Sequence, residues 1–277
     1  MPAPVPPTVT SSSAAALAFE VVGGRTVVTR CRAATPLKLL TPRRAGDAAW
    51  ACASTHGGGL LSGDAVSLSL EAGAGARAAL VTQASTKIYP GRPGARQHLN
   101  ASVAAGGLLV VAPDPVVCYA GARYDQRQEF KLAPSANLVV IDWLTSGRAA
   151  CGERWRFESY SSRLEIRRTG ALELWDALRL DGEEGPLPAR LGRFDVLALA
   201  AATGPLLRPG AERLLAEIAQ RPLTLRAALV VSAAPLGKGG VLLRLAAESF
   251  EEAAAELRRA LSFVWEALGD DPWSCRS

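Results

Sequence analysis

Polar and hydrophobic positions alternate with a period of two over Val66-Ser-Leu-Ser-Leu70, the pattern of a strand buried on one face. Small residues follow, Ala72-Gly-Ala-Gly-Ala76, and then an apolar segment ending Leu80-Val-Thr-Gln83. This unit recurs. Gly75-Ala-Arg-Ala-Ala-Leu-Val-Thr82 aligns with Gly106-Gly-Leu-Leu-Val-Val-Ala-Pro113 at an offset of 31 residues, and with Ser135-Ala-Asn-Leu-Val-Val-Ile-Asp142 after 29 more. A looser fourth copy, Gly170-Ala-Leu-Glu-Leu-Trp-Asp176, lies about 34 residues further on. An extended apolar segment leads into each later copy: Val103, then Phe130 and Leu132, then Leu164 and Ile166. Repetition at this period predicts a mainly β chain whose units stack around one core, a coiled, solenoid-like β-superhelix. A sandwich whose hairpins merely resemble one another is the alternative. If the units stack in register, the polar strand exits (Thr82-Gln83, Pro113-Asp114, Asp142 and Asp176) line one edge or lumen.

The period changes to helical in the C-terminal half. Ala211–Gln220 reads as a short helix ended by Pro222. Ser249–Leu268 is a longer one, with Phe250, Ala254, Leu257, Leu261, Val264 and Leu268 on one face. Ser249 is placed to cap it, Glu251 and Glu252 fall in its first turn, and Gly269 ends it. Leu223–Ser232 and Val241–Leu245 read as strands between the helices, and Gly182–Pro188 as a loop. No domain boundary emerges. Residues 1–16, rich in Pro, Ser and Ala, read as a flexible lead-in to a single β-rich domain over 17–277.

Composition narrows the function classes. At 49% hydrophobic and 21% charged, the chain is an ordinary globular one. Its net charge of +5 is scattered rather than run together, which argues against nucleic-acid binding and fits an acidic protein partner. Cys31, Cys52, Cys118, Cys151 and Cys275 are widely spaced, with no CxxC pair. That argues against a disulfide framework or a structural zinc site and points to a reducing, cytoplasmic setting. No apolar run is long enough to predict a membrane span.

His56-Gly-Gly-Gly59 has the form of an oxyanion loop, but the Gly-x-Ser-x-Gly elbow such a loop serves is missing. A tight turn or a partner contact is the simpler reading. Leu236-Gly-Lys-Gly-Gly240 lacks the Walker spacing and reads as a hairpin turn. His56 and His98 are the only histidines, and neither belongs to a metal-ligand pair. Dispersed carboxylates at strand edges (Asp64, Asp142, Glu153 and Asp176) suit weak, transient handling of a hydrated cation. Arg148 is near enough in sequence to pair with Asp142 or Glu153.

In chain order, the motifs are His56-Gly-Gly-Gly-Leu-Leu-Ser-Gly-Asp64, Thr82-Gln-Ala-Ser-Thr-Lys-Ile-Tyr89 and Pro113-Asp-Pro-Val-Val-Cys-Tyr-Ala-Gly-Ala-Arg-Tyr-Asp-Gln126. Asp142-Trp-Leu-Thr-Ser-Gly-Arg148, Gly152-Glu-Arg-Trp-Arg-Phe157, Asp176, Gly192-Arg-Phe194 and Gly237-Lys-Gly-Gly-Val-Leu-Leu-Arg244 follow, then the helix through Trp265. This ordered set resembles the urease accessory protein D family (also called H), especially its plant-type members, over nearly the whole chain. The resemblance implies a β-rich superhelix with two helices and no enzymatic activity of its own. It implies a scaffold that binds apo-urease and recruits accessory proteins F and G, the latter a nickel-carrying GTPase. Nickel would be held only in transit, through a water-filled passage, while carbon dioxide carbamylates a urease lysine. Asp64, Asp142, Glu153 and Asp176 match acidic motif positions and are expected along that passage. His56, Gln83, Lys87, Tyr89, Arg123, Tyr124 and Arg148 match motif positions expected to serve shape or partner contact. The end of the chain, Asp271-Pro-Trp-Ser-Cys-Arg-Ser277, lacks the family's basic tail. Two readings of another class stand beside this one: a β-fold hydrolase using His56, and a metal-free β-solenoid interaction protein.

Overall fold

A computed structural model describes residues 14–44 and 46–271. The N-terminal lead-in up to residue 13 and Cys275 lie outside the described residues; Ala15 and Ala16 already belong to the first strand.

The strands run β1 (Ala15–Val22), β2 (Arg25–Arg32), β3 (Leu37–Leu40), β4 (Ala49–Thr55), β5 (Ala65–Ala72), β6 (Arg77–Thr82), β7 (Thr86–Ile88), β8 (Ala95–Val103) and β9 (Leu108–Ala112). They continue as β10 (Val116–Cys118), β11 (Arg123–Leu132), β12 (Asn137–Thr145), β13 (Ser159–Arg168), β14 (Ala171–Asp181), β15 (Val196–Thr203), β16 (Leu229–Leu236) and β17 (Gly240–Ala247). The chain coils between two sheets. One has the order β14-β13-β11-β8-β5-β1-β2, the other β16-β17-β15-β12-β9-β6-β4-β3. Within the coils the neighbours are parallel: β5, β8, β11 and β13 in the first sheet, β4, β6, β9 and β12 in the second. The result is a β-solenoid of about 3 turns.

The register reproduces the repeat seen in the sequence. Ala78 stands beside Leu109 and Leu109 beside Leu138, the same 31- and 29-residue steps. The turns stack as well: Gly75 N donates to Ala105 O at 3.0 Å, and Asn137 N to Gly107 O at 2.8 Å. The fourth copy departs from this. Gly170-Ala-Leu-Glu-Leu-Trp-Asp176 does not cross to the second sheet; it turns back on β13 as the antiparallel edge strand β14. Antiparallel β15 takes the place beside β12 instead.

The two sheets differ in composition because they differ in burial. The first packs its inner face alone, so β11 alternates buried Tyr124, Gln126, Gln128, Phe130 and Leu132 with outward Asp125, Arg127, Glu129 and Lys131. The second is covered on both faces, so β9 is buried throughout and its sequence is uniformly apolar. One core cluster fills the space between the sheets. A second, around Trp50, Trp143, Leu243, Leu257 and Val264, packs the outer face of the second sheet against helices.

Four helices occur among the described residues: α1 (Leu187–Leu191), α2 (Arg208–Ala219), α3 (Phe250–Ala260) and α4 (Ser262–Leu268). The single helix expected over Ser249–Leu268 is interrupted at Leu261, where the backbone leaves helical geometry. The Ser249 side chain caps α3, accepting from Glu252 N at 3.2 Å. Gly269, at φ +82°, closes α4. The loop expected over Gly182–Pro188 contains the start of α1. The strand expected from Leu223 begins at Leu229. Residues 223–228 have no strand to pair with, and Leu223 and Leu225 are exposed.

Candidate functional site

A polar seam crosses the core between the sheets. Asp142 on β12 accepts from Gln126 Nε2 at 2.9 Å (Oδ1), from the Tyr160 hydroxyl at 3.4 Å, and from the Ser162 hydroxyl on Oδ2. Burial pushes the Asp142 carboxyl up from its ordinary value; the bonds from Ser162, Gln126 and Tyr160 pull it back, and nearby Asp176 adds to the rise. Burial likewise holds Tyr124 and Tyr160 well above the usual phenol range, and Cys118 above the usual thiol range. The tyrosines are therefore neutral donors at neutral pH.

Asp142 touches two spaces. On one side is an interior chamber of about 110 Å³, lined with Thr82, Gln97, Asp114, Gln126 and Gln128 among apolar walls, and reaching Thr55, Gly58 and Ser85 at the loop end. It has room for several water molecules, and its amides, hydroxyls and carboxylates can hold them. Thr82 and Asp114 clasp each other there: Asp114 N donates to Thr82 Oγ1 at 2.7 Å, and Thr82 Oγ1 donates to Asp114 Oδ2 at 3.2 Å. On the other side is a cleft of about 410 Å³ at the open end of the solenoid, bounded by β14 and β16 and lined by Asp176, Val230, Ser232 and Arg244. Thr82 at the end of β6, Asp114 just past β9 and Asp142 thus share one chamber, and Asp142 and Asp176 share one cleft; Asp142 and Asp176 are not strand exits as expected but lie inside β12 and β14.

The other two expected acids lie elsewhere. Asp64 closes its own turn, its Oδ2 accepting from Leu61 N at 2.7 Å, and it lines neither space. Glu153 accepts from Arg148 Nε at 2.9 Å and from Ala120 N at 3.2 Å, and is held below the usual carboxylate range chiefly by the Arg148 bond. Arg148 therefore pairs with Glu153 rather than with Asp142. Among the described residues, no three His, Cys, Asp or Glu side chains come together as metal ligands.

Several motif residues gather at the loop end of the coils. Leu60 N donates to Lys87 O, Tyr89 N to Leu60 O and Tyr119 N to Ile88 O, which stacks the His56 turn, the Lys87–Tyr89 segment and Tyr119. The Arg148 guanidinium lies 4.2 Å from the centre of the Tyr119 ring, and Tyr89 meets Tyr119 edge-on at 5.2 Å. Gly59 is required here, because a Cβ would stand 2.6 Å from Lys87 O. His56 and Gln83 are exposed nearby. Arg123 is apart from this group, paired with Glu158 and, at 3.6 Å, with Glu183. Tyr124 is 2% exposed and so faces the core rather than any partner.

Gln97, Gln126, Gln128, Tyr160 and Ser162 belong to the seam although no motif in the sequence gives them a role. A signal existed in Tyr124-Asp-Gln-Arg-Gln-Glu-Phe130: glutamines at the apolar phase of an alternating strand mark a polar spot in a core.

The family model described as UreD urease accessory protein matches residues 11–276. The chain belongs to the UreD family. It is 50% identical over 258 residues to the urease accessory protein UreD of Sorangium cellulosum (strain So ce56), covering 93% of this chain and 82% of that one. To urease accessory protein D of Oryza sativa subsp. indica it is 34% identical over 293 residues, 95% of this chain and 96% of that one. The corresponding protein of Arabidopsis thaliana is 33% identical over 287 residues, covering 92% and 97%. As a UreD family member the chain is a urease accessory protein. No helix among the described residues is long and apolar enough to cross a membrane.

Proposed function

We propose that this UreD protein is a non-catalytic, cytoplasmic scaffold that binds apo-urease together with accessory proteins F and G, the latter a GTPase. Nickel crosses its interior on the way to the urease active site. The observation that carries the reading is the position of Asp142, one carboxylate bordering both the interior chamber and the end cleft where Asp176 stands. A hydrated divalent cation needs oxygen donors along its way and no tight cage to leave. Chamber and cleft offer amide, hydroxyl and carboxylate oxygens. The path therefore rests on Asp142 and Asp176; Asp64 and Glu153 hold loop geometry.

The loop end is the surface we assign to partners. Lys87 is charged there, and Arg148, balanced by Glu153, stacks on Tyr119 beside Tyr89, so the face offers cationic and aromatic groups to a protein partner. Affinity pulldown of the tagged chain from cells expressing urease and its accessory proteins tests this. Lys87→Glu with Arg148→Glu is expected to deplete at least one partner from the wild-type complex; an unchanged complex would remove the loop end from the interface.

A further inference from the structure

Asp142 is held in place by Gln126, Tyr160 and Ser162 of the facing sheet, and Gln126 ties two of these contacts together. Gln126 of β11 is 6% exposed and commits both hydrogens of its amide nitrogen, one to Asp142 Oδ1 at 2.9 Å and one to Ser162 Oγ at 3.2 Å. Ser162 passes its own hydroxyl hydrogen to Asp142 Oδ2. With its nitrogen so engaged, the Gln126 amide can turn only its carbonyl toward the Tyr124 hydroxyl, 3.2 Å away. Tyr124 is also 3.2 Å from the Gln97 amide and has a single hydroxyl hydrogen. The hydroxyl hydrogen is therefore shared between the Gln126 and Gln97 carbonyl oxygens, each 3.2 Å away. On the Asp142 side the donors converge: Gln126 and Ser162 both direct a hydrogen to its carboxylate.

We infer that Gln126 is a positioning residue for Asp142: it keeps the carboxylate aimed between chamber and cleft, and cation transit depends on it. The inference rests on the passage reading above. A buried amide that only filled space would not need both hydrogens and its carbonyl matched. A buried carboxylate that lost this donor would be free to swing out of line with chamber and cleft.

The test is the nickel dependence of urease activation in cells that lack their own copy of this accessory protein. These are complemented with wild type, Gln126→Leu, Asp142→Asn or the double variant, and the amounts of chain and of co-purified urease are measured alongside. Gln126→Leu is expected to raise the nickel concentration for half-maximal activation about tenfold, the scale of one charged hydrogen bond, with the complex intact. The double variant should be no worse than Asp142→Asn alone, because the two act through one group. An unshifted nickel curve for Gln126→Leu, or a double variant whose losses multiply, overturns the inference. If Gln126→Leu does not accumulate, Tyr124→Phe replaces it, removing only the hydroxyl that orients Gln126. A shift in the same direction is then expected, and no shift overturns the inference. Wild type restoring activity beside an unshifted Gln126→Leu defeats this inference alone. Wild type failing at every nickel concentration defeats the maturation reading and the inference with it.

Discussion

Arg244 on β17 reaches Asp176 on β14 at 2.5 Å, joining the two sheets across the mouth of the end cleft. The Arg244 side chain is 52% exposed, so the pair contributes under about 1 kcal/mol. Its consequence is positional: the salt bridge draws the Asp176 carboxylate toward Arg244 and away from a passing ion. Arg244→Ala is expected to lower unfolding free energy by less than about 1 kcal/mol and to leave urease activation intact or improved. Asp176→Ala should impair activation. Equal losses in the two variants, measured as urease activity per unit of co-purified complex, would make Asp176 a clasp and nothing more.

The burial of Asp142 sets a pH dependence of stability. Its folded-state pKa is raised above the ordinary value, mainly by burial. A group raised in this way contributes stability that is fully present below its unfolded pKa and is lost as pH rises through its folded pKa. The wild-type advantage over Asp142→Asn should therefore shrink as pH rises above the ordinary carboxylate range. Only the slope is diagnostic, because the asparagine also disturbs the donors from Gln126 and Ser162. Denaturant unfolding of both proteins as pH is raised checks it, and a gap independent of pH would mean that the carboxylate is solvated.

Gly75 and Gly106 hold the same turn position in successive coils, at φ +67° and +69°. No atom lies within 4 Å of a Cβ built on Gly75, so a substitution there tests backbone strain without collision. Gly75→Val should cost about 1–3 kcal/mol, and Gly75→Asn clearly less, since asparagine tolerates left-handed geometry. Urea unfolding midpoints at constant m-value decide between this and a relaxed turn.

These turns also show what the chain reveals before it folds. The 31- and 29-residue steps are a direct image of the ladder, because each coil must bring the same side-chain phase to the same core. The fourth copy misleads for the same reason. A terminal strand keeps the apolar pattern of the coils, but nothing local says that the hairpin at Gly170 sends it back along the same sheet. Ser249 was legible as a cap, while the break at Leu261 was not, since the apolar face runs through it without a change of period. Of the site, Asp142 and Asp176 stand out in the sequence as acids after apolar runs, although the strands continue past both of them. Gln97, Gln126 and Gln128 do not stand out, because a neutral amide acquires meaning only when the facing sheet supplies its partner.

His56 provides a control on chemistry. It is exposed in the turn after β4, its backbone N donates to Pro36 O at 2.9 Å, and among the described residues no side chain hydrogen-bonds its imidazole. A general base needs a partner that orients it. The purified chain is expected to show no turnover on a panel of activated esters, and His56→Ala to change nothing in that assay. Hydrolysis abolished by His56→Ala would establish an activity of the chain's own.

The most direct test of the central claim is the nickel content of urease purified from cells whose own copy of this accessory protein is deleted and replaced by wild type or by Asp142→Ala with Asp176→Ala. Pulldown of the partners from the same cells runs alongside. The account predicts nickel-loaded, active urease with wild type, and intact complexes carrying nickel-poor, inactive urease with the double variant. Full nickel loading by the double variant would contradict an interior route past these two carboxylates.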